Sequence, residues 1–306
     1  MMTYRWVITP IGDETTVQQL QRELGVHPTI ARLLALRGID SFDLARDYFR
    51  PDIGKLHDPY LMKDMDLAAP RLADAVRHGE KVVVYGDYDV DGTTATSIMY
   101  NFLKNFGSDV QYYIPHRFKE GYGISQEGVD FAINTSAKLI LSVDCGITAH
   151  EEAEYARQHG IDLVICDHHT VGDTIPDAFA VLDPKRPDCP YPFEGLSGAG
   201  VAFKLIQAIL HELGLPPEKA HPYLDLLAIS IASDIVPITG ENRILMREGL
   251  KKLNNDPRPG IRALMDVINL KPGTITTTQI VFSIGPRINA AGRMGDARTA
   301  VELMIA

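Results

Sequence analysis

Between residues 81 and 183, short apolar runs alternate with stretches of helical spacing: KVVVYG (81–86), VQYYI (110–114), KLILSV (138–143), DLVIC (162–166) and AFAVLD (178–183). A strand wetted on one face alternates polar and apolar side chains. These runs are largely continuous in Val, Ile and Leu, so both faces must be covered. Strands covered on both faces and separated by helices form a parallel sheet, and the expected fold is α/β, doubly wound, with a mainly parallel sheet. The intervening helices are expected at TTATSIMYNFLKNFG (93–107), around 125–135 and over 148–159.

The flanks have a different texture. Apart from a strand pattern at Tyr4–Thr9, which includes Trp6, residues 1–65 read as a small N-terminal helical segment. Its helices are TTVQQLQREL, PTIARLLALRG opened by Pro28, and SFDLARDYF closed by Pro51. Gly54–Met65 lacks periodicity and reads as a loop, after which LAAPRLADAVRHG resumes helical spacing. Beyond residue 195 the chain is helix-rich, with GVAFKLIQAILHELG, PYLDLLAISIASDIV and NRILMREGLKKL. It stops at AVELMIA, which reads as the first turns of an apolar connecting helix at 297–306, so further domains are expected to follow.

Charge narrows the function. Thirty Lys+Arg against 40 Asp+Glu give a formal net charge of -10, which excludes a uniformly basic nucleic-acid sleeve. An anionic substrate must therefore meet local basic groups or a metal. Cys145, Cys166 and Cys189 lack CxxC spacing and leave one thiol unpaired under any disulfide scheme, which fits a reducing, cytoplasmic setting and argues against structural zinc. No run approaches the roughly 20 apolar residues of a membrane span, and no signal sequence opens the chain, so no membrane partner is expected.

In open parallel sheets, ligands bind beyond the C-terminal ends of the strands. There the sequence places Asp87, Asp89, Asp91 and Gly92 after KVVVYG, Asp144 after KLILSV, and Asp167, His168 and His169 after DLVIC; Asp234 interrupts the apolar run LLAISIASDIVP. A single Asp after a strand is usually a turn or cap residue. Several strand ends carrying one are different, because two carboxylates about 4 Å apart repel by about 4 kcal/mol at an effective dielectric near 20. Bound metal is the simplest resolution. Carboxylates with imidazole and no thiolate favour Mn2+ or Mg2+, and the Asp89-x-Asp91 pair can address two neighbouring ions. An EF-hand reading of Asp87, Asp89, Asp91 and Gly92 fails because position 12 is Ile98 and a strand run precedes the loop.

Three segments are candidate phosphate binders. His116–Gly123 (HRFKEGYG), with Arg117 and Tyr122, follows a strand; Ser197, Gly198, Ala199 and Gly200 precede a helix; and GPRINAAGR, with Arg287, Asn289 and Arg293, reads as a Gly-rich loop. The remaining histidines are scattered without ligand spacing and read as surface or packing residues.

DYDVDG, PHRFKEGYG, DCG, DHH, LSGAGVAFKL, ASDIVP and IGPRINAAGR, in this order, resemble the blocks of the DHH phosphoesterase superfamily, and within it the branch of single-stranded-DNA-specific 5′ exonucleases. The resemblance covers nearly the whole chain, HPTIARLLALRGIDSFDLARDYFRP included. It implies a DHH phosphoesterase domain over 66–296 and 5′-to-3′ hydrolysis of single-stranded DNA to 5′-mononucleotides in repair and recombination, with two Mn2+ ions or Mg2+. By the same likeness Asp89 holds one ion, Asp91, His168 and Asp234 hold the other, and Asp144 bridges. Asp87 and Asp167 support the cluster, and His169 faces the scissile phosphate. Arg117, the SGAG loop and Arg287 lie near the DNA backbone, and a helicase and a single-strand-binding protein are the implied partners. Beyond Ala306 the branch continues into a second phosphoesterase-associated domain and an oligonucleotide-binding barrel. Two alternatives are a DHH phosphodiesterase acting on oligonucleotides or cyclic dinucleotides, and a non-catalytic replication scaffold, which would have no need of so repulsive a cluster.

Overall fold

The structure is a computed structural model and describes residues 5, 7, 13–294 and 296–306. Trp6 and most of the Tyr4–Thr9 strand pattern lie outside the described residues. The chain forms two compact units, Met1–Lys55 and Leu56–Ala306, so the division falls ahead of residue 65.

The first unit contains α1 (Glu14–Leu24), α2 (Pro28–Ala35) and α3 (Phe42–Phe49). Asp13 caps α1 at the Thr15 amide, Pro28 opens α2 and Ser41 caps α3. Val17, Leu20, Ala31, Leu34, Ile39 and Ala45 form its small core.

In the second unit the order is α4 (Met65–His78), β1 (Lys81–Gly86), α5 (Val90–Asn105), β2 (Asp109–Tyr113), α6 (Gln126–Asn134), β3 (Leu139–Val143), α7 (His150–Gln158), β4 (Asp162–Cys166) and β5 (Ala180–Leu182). Helices α8 (Gly198–Glu212), α9 (Leu224–Ser233), α10 (Gly240–Asn255) and α11 (Pro259–Val267) follow. The short α12 (Thr277–Gln279) runs through a π-helical turn at Ile280–Ile284 into α13 (Gly285–Met294), and α14 (Arg298–Ile305) ends the chain. A 3-10 turn at Ile53–Lys55 closes the first unit, and a second at Pro59–Leu61 lies within the segment read as a loop.

All five strands run parallel in the order β2-β1-β3-β4-β5. One face of the sheet carries Val83, Tyr85, Ile140, Leu163, Ile165 and Val181 against α6 and α7. Helices α5 and α8 cover the other face, where α5 touches β1 and β2 and α8 touches β3 and β4. Double coverage is why the strand runs are apolar throughout. The chain leaves β1 for β2 on one side and returns to β3 on the other, so the crevice at the C-terminal ends of β1 and β3 is a topological switch point, the usual ligand position in open α/β sheets.

Candidate metal centre

Each strand from β1 to β5, except β2, hands its C-terminal end to an acid. After β1, Asp87 is buried, Asp89 caps α5 by accepting from the Gly92 amide (2.9 Å), and Asp91 sits buried in the first turn of α5. After β3, Asp144 is buried in a left-handed conformation (φ 61°), and its amide donates to the Cys166 carbonyl of β4 (2.9 Å). After β4, Asp167 accepts from the Ile147 amide (2.9 Å), the His168 amide (2.7 Å) and the His169 ring (2.7 Å). Asp234 ends α9.

These side chains converge. Ligand atoms of Asp87, Asp89 and Asp144 lie within 4.8 Å of one another, as do those of Asp91, His168 and Asp234, and those of Asp144, His168 and His169. Two ligand groups thus sit side by side, with Asp144 in one and next to His168 of the other.

His168 provides the test of fit. Its Nδ1 lies 2.9 Å from the Leu196 carbonyl, which can only accept, so Nδ1 carries the proton. Burial holds this imidazole below its ordinary pKa, in the neutral state. Nε2 therefore presents a bare lone pair, 3.1 Å from Asp144 Oδ1 and 3.7 Å from both Asp91 Oδ2 and Asp234 Oδ2. Among the described residues His168 Nε2, Asp144 Oδ1 and Asp87 Oδ1 have no hydrogen-bond partner. A lone pair facing three carboxylates is repulsive. A proton can occupy one of these contacts, whereas a cation satisfies several at once. The oxygen-rich donor set with one imidazole suits a hard divalent ion.

The acids record the same strain. Burial, then Asp89, pushes Asp87 up to about 7; burial, then Asp91, pushes Asp234 to about 7; burial, reinforced by Asp91 and Asp89, carries Asp144 well above the carboxylate range. Asp167 behaves oppositely. Burial raises it, but its bonds from His169 and the backbone outweigh this and hold it low. His169 is correspondingly raised, by that bond first.

The SGAG segment needs correction. Its amides are occupied: Gly198 donates to Asp91 Oδ2 (2.7 Å) and Ala199 to Asp91 Oδ1 (3.0 Å), while Ser197 caps the Gly200 amide (3.1 Å) and pairs with Ser230 Oγ (2.7 Å). The anion at the α8 N-terminus is a protein carboxylate, buried with its partners, so Ser197, Gly198 and Gly200 position Asp91. Gly198 is required because a Cβ there would collide with the Asp144 carboxylate. GPRINAAGR is likewise a helix, α13, and no loop: Pro286 stands in its first turn, where a missing N–H costs nothing, and Ala290 and Ala291 favour helix.

The other phosphate candidates divide. Tyr122 Oη lies 3.1 Å from His169 Nδ1 and donates to the Asp144 carbonyl (3.5 Å), and Arg117 covers the Tyr88 ring at 4.9 Å, so the HRFKEGYG segment borders the cluster. Gly292 of α13 packs against the Tyr88 carbonyl, 2.5 Å from where its Cβ would stand. On that helix Arg287 is exposed and donates to the Ser283 carbonyl (2.8 Å), Asn289 is half-buried and Arg293 is exposed.

Two buried polar residues are absent from the reading of the sequence, and one of them bonds to the cluster. Ser230 donates to Asp91 Oδ1 (2.6 Å) from one turn before Asp234 on α9, a spacing that marks a shared helix face. Asp183 follows β5, fully buried, with Oδ2 unpartnered among the described residues and its pKa pushed to about 7, burial being the main cause. The strand-end rule applied to AFAVLD singles it out.

Comparisons with known proteins show what the chain is similar to. The DHH family, N-terminal domain, matches residues 81–231. The single-stranded-DNA-specific exonuclease RecJ of Bacillus subtilis (strain 168) is 40% identical over 98% of this chain and 37% of its own length, and that of Escherichia coli (strain K12) is 38% identical over 91% and 49%. The chain therefore spans half or less of these relatives. Among solved structures, exonuclease RecJ bound to manganese aligns with a TM-score of 0.73 at 39% identity, covering 80% of this chain and 61% of that one. RecJ in complex with Mn2+ from Thermus thermophilus aligns at 0.83 and 32%, covering 99% and 42%. With its strand-end acids and DHH triplet, the chain matches the DHH family, N-terminal domain, over residues 81–231 and resembles RecJ along nearly its whole length.

Proposed function

We propose that this chain is the catalytic part of a metal-dependent exonuclease that hydrolyses single-stranded DNA from the 5′ end and releases 5′-mononucleotides, with residues 66–296 as its DHH phosphoesterase domain. The observation that carries the reading is the buried lone pair of His168 among the carboxylates of Asp91, Asp144 and Asp234. Asp87, Asp89 and Asp144 would hold one divalent ion and Asp91, His168 and Asp234 a second, with Asp144 shared; manganese and magnesium both fit the donor set. Such ions, when bound, lower the pKa of an attacking water and neutralise phosphate charge.

The chain's own groups have distinct tasks. Leu196 fixes the His168 tautomer, and Gly198, Ala199 and Ser230 aim Asp91. Asp167 orients His169, whose raised pKa keeps a proton available to a phosphate oxygen near the departing 3′ oxygen. Arg117 and Tyr122 border the cluster where a strand would enter, and Arg287, Asn289 and Arg293 on α13 would add contacts to the strand's backbone. A helicase that opens duplex and a single-strand-binding protein are the partners such a reaction calls for. The three free cysteines support a reducing cytoplasm, and no helix of the described residues is long and apolar enough to cross a membrane.

The test uses a 5′-labelled single strand and its duplex with Mn2+, Mg2+ or EDTA, products resolved by length. Metal-dependent release of labelled mononucleotide from the single strand alone is expected. Hydrolysis of a dinucleotide or small phosphodiester with both strands left intact would overturn the polymer reading and favour an oligonucleotide or cyclic-dinucleotide phosphodiesterase.

A further inference from the structure

The segment between β2 and α6 spends an exposed aromatic where burial would be the ordinary outcome. Phe118 is 74% exposed, and its one ring neighbour among the described residues is His116 at 6.1 Å between centroids. The segment around it is fixed. Glu120 accepts from the His116 amide (2.7 Å), the Tyr113 hydroxyl (2.8 Å) and Ser125 Oγ (2.7 Å), and Tyr85 Oη donates to the Gly123 carbonyl (2.9 Å). Gly121 and Gly123 turn the chain at φ 88° and 93°, conformations that side-chained residues rarely adopt. A tethered segment that presents a bare ring loses little entropy when the ring is covered.

What would cover it follows from its neighbours. One residue before, Arg117 lies over Tyr88, which stands between Asp87 and Asp89 in the chain. Four residues after, Tyr122 reaches His169 and the Asp144 carbonyl. Phe118 is thus flanked by Arg117, which reaches the residue between Asp87 and Asp89, and by Tyr122, which touches the cluster itself, and Arg117 and Lys119 give this edge positive charge on a chain of net charge -10. An exposed aromatic between two cations is the pattern that holds single-stranded nucleic acid, the ring taking a base and the cations the phosphates.

We propose that the Phe118 ring is a stacking platform for one unpaired base of the single strand and so favours single-stranded over duplex substrate, whose bases are already stacked on each other. The proposal rests on the reading of the site as one for single-stranded DNA. Its test is a binding measurement, separate from cleavage. A 5′-phosphorothioate-protected strand carrying 2-aminopurine near its 5′ end is titrated with the wild-type chain, Phe118→Ala and Phe118→Trp in Mn2+. Stacking on Phe118 quenches the 2-aminopurine with the wild type and the Trp variant, whereas Phe118→Ala loses the quenching and weakens binding about tenfold. Equal quenching and affinity in Phe118→Ala, or a saturated wild-type complex without quenching, overturns the platform. Bis(4-nitrophenyl) phosphate, which offers no base, should be hydrolysed equally by all three proteins, and a parallel loss with Phe118→Ala also overturns it. Failure to cleave an unprotected strand would refute the exonuclease reading while the quenching result still decides the platform.

Discussion

Two of the buried groups of charge in the second unit are finished differently. Lys204 and Glu241 lie side by side (3.3 Å), both almost without exposure. Lys204 Nζ also donates to the His57 carbonyl (2.5 Å), while Glu241 accepts from the His57 amide (2.9 Å) and the Tyr191 hydroxyl (2.5 Å). Each carboxylate oxygen has a donor, and the opposite charge is built in. In the strand-end cluster Asp87, Asp144 and His168 have buried atoms without a partner among the described residues, and carboxylates face each other. A network that closes on itself holds structure together; one that leaves like charges facing each other is completed by something from outside.

The sharpest way to break this contrast is to remove one charge from each side. Asp144→Ala should lower hydrolysis by at least about 10²–10³-fold while leaving the melting temperature of EDTA-treated protein unchanged or raised, because it relieves repulsion. A mutant with full metal-dependent activity would remove Asp144 from its shared position. Lys204→Met should do the opposite. It strands a buried Glu241 and destabilises by about 3–5 kcal/mol in urea unfolding, with activity per folded molecule retained. Replacing Glu241 by Gln as well should recover part of that loss, and no recovery would mean that Lys204 acts by packing alone.

A smaller effect is expected at the seam between helix and cluster. Gly198→Ala should weaken Mn2+ binding about 10–100-fold by pressing on the Asp144 carboxylate, with the unfolding midpoint moved far less than by Lys204→Met. The smallest effect is pH-linked. Asp87, Asp183 and Asp234 have folded-state values pushed to about 7 from an ordinary 3.8. Between these limits the folded protein binds more protons than the unfolded chain, so metal-free stability falls as pH rises from about 4 to about 7, and Asp144, carried well above the carboxylate range, extends the fall. The melting temperature in EDTA should be higher at pH 5 than at pH 8, and Mn2+ should narrow the difference by stabilising the pH 8 sample. A metal-free protein more stable at pH 8 would contradict the repulsive reading.

The contrast also explains what the sequence made legible. The strand runs were readable because burial on both faces leaves continuous Val, Ile and Leu, and each ends within two residues of its expectation. The acids were readable because parallel topology turns the residue after each strand toward one crevice. Ser230 was not, because its bond to Asp91 spans 139 residues and a serine in an apolar helix carries no local mark. The α8 N-terminus looked like a phosphate cradle because its chemistry suits any anion; only the tertiary structure tells that Asp91 fills it. In GPRINAAGR the glycines suggested a loop, but Gly285 and Gly292 serve close packing, against Ser233 and the Tyr88 carbonyl, within a continuous helix.

The central claim is that the strand-end cluster is completed by cations. Titration of Mn2+ into metal-stripped protein, with free ion followed by electron paramagnetic resonance, tests it most directly. The account predicts two ions bound per chain in the wild type, with binding severely weakened in Asp144→Ala and intact in folded Lys204→Met. A wild-type chain that binds no Mn2+ at millimolar concentration, or an Asp144→Ala chain that binds two as tightly as the wild type, would contradict it.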